Sequence, residues 1–119
     1  MLLVGGLLRR ADRDLLSRAL TNLVANAIEA MPEGGTLRAT TALRGRHAEI
    51  AIADSGPGLS DEQKAQLFRP YHTTKPGGTG LGLVIVQSVA ADHGGFVEVD
   101  GAPGMGAVFR ILLPLAAAS

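Results

Sequence analysis

Between Leu15 and Met31 the apolar residues stand at 15, 16, 19, 20, 23, 24, 27, 28 and 31. That is the i, i+3, i+4 repeat of one helix face. A stripe this complete needs a second layer to bury it, so the rest of the chain must supply a sheet or more helices. Asp12 can cap the helix start, and Pro32-Glu33-Gly34-Gly35 stops it. Leu37 to Leu43 then alternates, with Leu37, Ala39, Thr41 and Leu43 on one face. Arg44-Gly45-Arg46 turns the chain and Ala48 to Asp54 runs back, which predicts a hairpin. Ser60-Asp61-Glu62 opens a short helix to about Leu67, and residues 69–80 form a polar loop rich in Gly, Thr and Pro. A second long apolar helix runs from about Gly80 to Ala91 and ends near His93-Gly94-Gly95. Phe96 to Asp100 and Ala107 to Leu113 make a last strand pair, closed by Pro114, and residues 2–10 read as an edge strand. The sum is an α+β two-layer sandwich in a single domain, residues 1–119.

Composition narrows the function. Eleven Lys and Arg balance eleven Asp and Glu, which argues against a basic nucleic-acid footprint. Without cysteine there is no disulfide, thiol nucleophile or zinc–thiolate site. No apolar run approaches the roughly 20 residues that span a bilayer. Arg9 and Arg10 follow the apolar opening, the wrong order for a secretory signal, so a cytoplasmic domain without membrane contact is expected. Only four residues are aromatic, leaving Leu, Ile, Val and Ala to fill the core. The 16 glycines gather in clusters, the pattern of tight turns or of backbone lying close to a ligand.

Several residues are not explained by the fold alone. Asn22, Asn26 and Glu29 form one line along the first helix, away from the centre of the apolar stripe. Asn is a poor interior helix residue; one alone would read as part of a solvated polar face, but two in register among Ala25, Ala27 and Ala30 favour a functional reading, with amide oxygens suited to a hard cation such as Mg²⁺. Asp54 shares a strand face with Ile50 and Ile52 and needs a donor. It can cap the turn Ser55-Gly56-Pro57-Gly58, or accept from the exocyclic amine of an adenine. Gly77-Gly78-Thr79-Gly80-Leu81-Gly82-Leu83 leads into the second long helix, where unpaired N–H groups favour an anion such as phosphate, the alternative being a Gly-rich start that serves only close packing. Lys75 stands nearby as a point charge. Neither the P-loop nor the dinucleotide fingerprint is present. His47, His72 and His93 sit in unrelated contexts and read as structural or surface groups.

Five segments together form a known pattern: Asn22-x-x-x-Asn26-Ala27-Ile28-Glu29-Ala30, Asp54-Ser55-Gly56-Pro57-Gly58, Leu67 to Lys75, Gly78-Thr79-Gly80-Leu81-Gly82-Leu83 and Gly104-Met105-Gly106. In order and spacing they resemble the N, G1, F, G2 and G3 boxes of the catalytic and ATP-binding domain of two-component sensor histidine kinases, over about residues 10–115. Glu29-Ala30-Met31 looks like the nitrogen-regulation subclass.

The resemblance implies the Bergerat fold, a mixed and mostly antiparallel sheet of about five strands against three helices, with ATP under a mobile lid from about Arg69 to Gly80. It implies Mg²⁺ on Asn26 and phosphates near Asn22, with Glu29 on the same helix line. Asp54 would receive the adenine amine between Gly56 and Gly58. Thr73, Thr74, Lys75, Gly78, Thr79, Gly80, Leu81, Gly82 and Leu83 would line the triphosphate, with Asn22, Asn26 and Lys75 serving catalysis. Ala107 stands where Thr is frequent, so no hydroxyl is offered there. The domain bearing the phospho-accepting histidine lies outside these 119 residues, so the γ-phosphate would pass to a histidine on a separate dimerisation domain and then to a response regulator. Related ATPases carry a Glu base where Asn22 stands, and an amide takes no proton from water, so hydrolysis should be very slow. The competing expectations are a stand-alone nucleotide-binding module and an anti-sigma-type serine kinase acting as a partner switch.

Overall fold

The computed structural model describes residues 13–67 and 82–115. Helix α1 (Arg13–Glu29) is followed by strands β1 (Leu37–Arg44) and β2 (His47–Asp54). Then come the short helix α2 (Asp61–Gln66), helix α3 (Gly82–Asp92) and strands β3 (Phe96–Gly101) and β4 (Ala107–Pro114). The four described strands form one sheet in the order β1-β2-β4-β3, and all three pairings are antiparallel. The expected strand over 2–10, the Asp12 cap and the lid all lie outside the described residues.

Each element follows from local chemistry. The α1 stripe buries Leu16, Ala19, Leu23 and Ala27. It departs from the expected face at Ile28, which lies in the last turn of the helix and is 58% exposed. Gly34 closes that turn at φ +97°, its N–H donating to the Met31 carbonyl. The hairpin turns between paired Arg44 and His47, with Gly45 at φ +61°. Ser60 caps α2 through a capping box: its hydroxyl accepts from the Gln63 N–H, and the Gln63 side chain accepts from the Ser60 N–H. Helix α3 ends in a Schellman motif, in which Gly94 and Gly95 donate to the carbonyls of Ala91 and Ala90.

Strand alternation gives the sheet two unlike faces. Ile50, Ile52, Phe109, Ile111 and Leu113 turn towards the helices and meet Leu16, Leu23, Val86 and Val89 in one core. The opposite face carries Arg44, Glu49, Glu98, Asp100 and Arg110. Here Arg44 donates to Glu49 at 3.1 Å and to both Glu98 oxygens at 2.7 and 3.3 Å, while Arg110 donates to Asp100 at 3.0 Å. This arrangement holds the Glu98 carboxyl below its ordinary range, chiefly through the Arg44 hydrogen bond, and pushes the Arg44 guanidinium further up. Strand β1 is largely exposed, including Leu43 on the helix-side register.

Candidate functional site

The site candidates lie along α1 and at the β2 end of the helix-side face. Asn22 and Asn26 are half-buried on one helix line, and Glu29 is exposed at the helix end. The Asn22 side-chain amide donates to the carbonyl of Gly82, the first residue of α3, at 3.4 Å. Two turns further along, the carbonyl of Ala30 lies 2.9 Å from where a Gly56 methyl would stand, so α1 touches the Asp54 turn there. Eight residues at a rise of 1.5 Å span about 12 Å. Helix α1 therefore floors a path running from the α3 start, past Asn22 and Asn26, to the Asp54 turn. The Leu83 side chain is partly buried against the core beside that start.

Asp54 closes β2, opposite Leu37 on one side and Ala107 on the other. Its Oδ1 accepts from the Gly56 N–H at 2.9 Å, so the capping role is real. The second oxygen takes no hydrogen bond among the described residues, which leaves it available to a donor from outside.

The glycines around Asp54 are there because backbone meets backbone. Gly58, at φ +76°, lies so close to the Ala102 carbonyl that a methyl would overlap it. Gly106, at φ +73°, lies equally close to the Asp54 carbonyl. Gly104 donates to the Pro57 carbonyl at 2.6 Å. The Asp54–Gly58 turn and the β3–β4 turn are thus interlocked, as two of the five sequence segments brought into contact.

Asn22, Asn26, Asp54, Gly56, Gly58 and Gly82 are therefore gathered along one path. Thr73, Thr74, Lys75, Gly78, Thr79, Gly80 and Leu81, and with them Tyr71 and His72, lie outside the described residues. His47 sits on the far face, edge-on to Phe96 at 5.5 Å, and the His93 ring lies 2.8 Å from the Val89 carbonyl. Sequence reasoning missed two supports. Lys64 of α2 donates to the Gly101 carbonyl at 3.0 Å and pins the β3–β4 turn. Ser55, whose hydroxyl accepts from the Thr36 N–H at 2.8 Å, braces the residue after Asp54. No local pattern marks Lys64, and Ser55 was legible only as a turn residue.

Comparison with known proteins gives a consistent result. The chain is 43% identical over 110 residues to the sensor histidine kinase ZraS of Klebsiella oxytoca, covering 89% of this chain and 23% of ZraS. It is 44% identical over 112 residues to the nitrogen regulation protein NtrY of Azorhizobium caulinodans, covering 87% of this chain and 14% of NtrY. The chain thus spans a quarter or less of these curated relatives' length. Among solved structures, full-length ShkA in complex with AMPPNP superposes with a TM-score of 0.77 at 36% identity, over 88% of this chain and 22% of that one. Residues 11–117 match the family model described as histidine kinase-, DNA gyrase B- and HSP90-like ATPase, and the chain belongs to that family.

Proposed function

We propose that this chain binds Mg-ATP and presents the γ-phosphate to a histidine on a separate dimerisation and phosphoacceptor domain, which in turn serves a response regulator. The observation that carries the reading is the path along α1. It joins Asp54, whose second carboxylate oxygen takes no hydrogen bond among the described residues, to the start of α3, along a stretch of α1 from Asn22 to Ala30 that rises about 12 Å. Adenine at the Asp54 end would donate its amine to the free oxygen while Gly56 holds the other. The phosphates would lie towards the α3 start, where a methyl on Gly82 would meet nothing within 4 Å among the described residues and backbone N–H groups favour an anion.

The donor set fits magnesium. Asn22 commits its amide nitrogen to Gly82, so its oxygen is the atom left for phosphate or cation, and Asn26 lies one turn along the same line. Neutral amide oxygens suit this hard cation, which keeps several of its waters. When bound, magnesium supplies charge neutralisation on the phosphate oxygens. Asn26 would hold the ion and Asn22 would orient the chain of phosphates. Thr73, Thr74, Lys75, Gly78, Thr79, Gly80 and Leu81 complete the proposed site from the adjoining segment. Positioning and charge stabilisation are the protein's share of phosphoryl transfer. With Asn22 in place of a carboxylate base, the position from which related ATPases activate water offers only an amide, which suits a kinase that must keep its phosphate for a protein acceptor. On this reading the domain works in the cytoplasm, where ATP is.

The test is calorimetric titration of ATP, with and without Mg²⁺, into the parent chain and Asp54→Asn. The variant keeps an oxygen for Gly56 but sets an NH₂ donor where adenine needs an acceptor. Affinity should fall at least about tenfold, the value of one charge-assisted hydrogen bond. Unchanged affinity would remove Asp54 from the site, and a parent that binds no ATP would remove the function.

A further inference from the structure

We infer that Ser55 is a positioning residue for the Asp54 carboxylate, acting through a latch that the α1–β1 connection closes on it. The inference rests on the adenine reading of Asp54 and extends it to a residue that would not touch the nucleotide.

The hydrogen bond from Gly56 N–H to Asp54 Oδ1 closes a small ring of which Ser55 is the middle residue. Whatever fixes Ser55 therefore fixes the direction in which the other carboxylate oxygen points. Ser55 is gripped twice by one partner: its N–H donates to the Thr36 carbonyl at 3.1 Å, and its hydroxyl accepts from the Thr36 N–H at 2.8 Å. This clamp lies one residue beyond the Leu37–Asp54 pair and extends the β1–β2 ladder past the carboxylate. The hydroxyl's own hydrogen points to the Met31 sulfur at 3.4 Å, which ties in the end of α1.

The chain has made room for this latch. At Gly35, φ +155°, a methyl would stand 2.5 Å from the Met31 sulfur and 2.7 Å from the Ser55 oxygen. Only glycine lets the two side chains meet there. The latch is exposed to water, so its effect on folding is small, and its effect on the carboxylate's aim is the larger one.

The experiment compares ATP with purine riboside triphosphate, which lacks the 6-amino group, on the parent, Ser55→Ala, Ser55→Thr, Asp54→Asn and the Ser55→Ala/Asp54→Asn double variant. One hydrogen bond corresponds to a factor of about three to ten. Ser55→Ala should weaken ATP by that factor, leave the 6-deamino nucleotide unchanged, and add nothing in the Asp54→Asn background. Ser55→Thr should restore ATP affinity. Met31→Leu, nearly isosteric, should give a smaller loss of the same kind. Equal loss for both nucleotides, or none, in a Ser55→Ala chain that melts like the parent would overturn the inference and leave the adenine reading standing. An Asp54→Asn chain that binds ATP like the parent would overturn both.

Discussion

The two faces of the sheet are built from the same four strands yet do different work. The helix-side face packs an apolar core and ends in the interlocked turns around Asp54, where Gly58 and Gly106 bring backbone against backbone. The far face carries a ladder of side-chain ion pairs from Arg44 on one edge strand, across Glu49 and Arg110, to Glu98 and Asp100 on the other. The first is dry and close-packed, so its parts are not interchangeable. The second is wet, and each of its charges has water as an alternative partner. The comparison teaches where precision is available: the candidate site stands at the end of the close-packed face.

The strongest way to break this contrast is Ile111→Ala on the helix-side face. Ile111 is fully buried, and its truncation should cost about 2–5 kcal/mol in chemical denaturation. A loss below about 1 kcal/mol would mean that the face collapses around cavities and is not rigid. Gly58→Ala comes next. It sets a side chain at positive φ against the Ala102 carbonyl, so it should cost about 1–3 kcal/mol and weaken ATP by prising the two turns apart. If stability falls while ATP affinity holds, the turns are structural and the site lies elsewhere.

Arg44→Met tests the far face and should lower the thermal midpoint least of the three, by an amount that shrinks as salt is added. A loss rivalling that of Ile111→Ala would reverse the comparison. The smallest effect concerns pH. Arg44 holds the Glu98 carboxyl below its ordinary value near 4.5, so the pair's stabilisation is fully present above that value. It fades as pH falls through the lower folded-state value. The gap in melting temperature between the parent and Glu98→Gln should therefore be widest near neutrality and close in acid. A gap independent of pH would show that the pair is not linked to folding.

Much of this was legible beforehand because periodicity is local. The α1 stripe, the hairpin about Gly45, the Ser60 cap and the Gly94 stop all follow from residues within a few positions of one another. The candidate site was legible in part for a different reason. Asn22, Asn26 and Asp54 are residue types that a helix interior and an inward strand face do not favour, so they stood out. Ile28 did not follow the stripe, because whether a helix position is covered depends on where the sheet ends beneath it.

By itself, then, the sequence determined the elements, their ends and the short list of polar residues needing a purpose, since each is set by neighbours in the chain. Only the tertiary structure decided which glycine faces which carbonyl, that β4 inserts between β2 and β3, and that Asn22 reaches Gly82 sixty residues away. Those outcomes depend on how the layers settle to fill one core. Close packing satisfies all the side chains at once and leaves no trace in any single stretch of sequence.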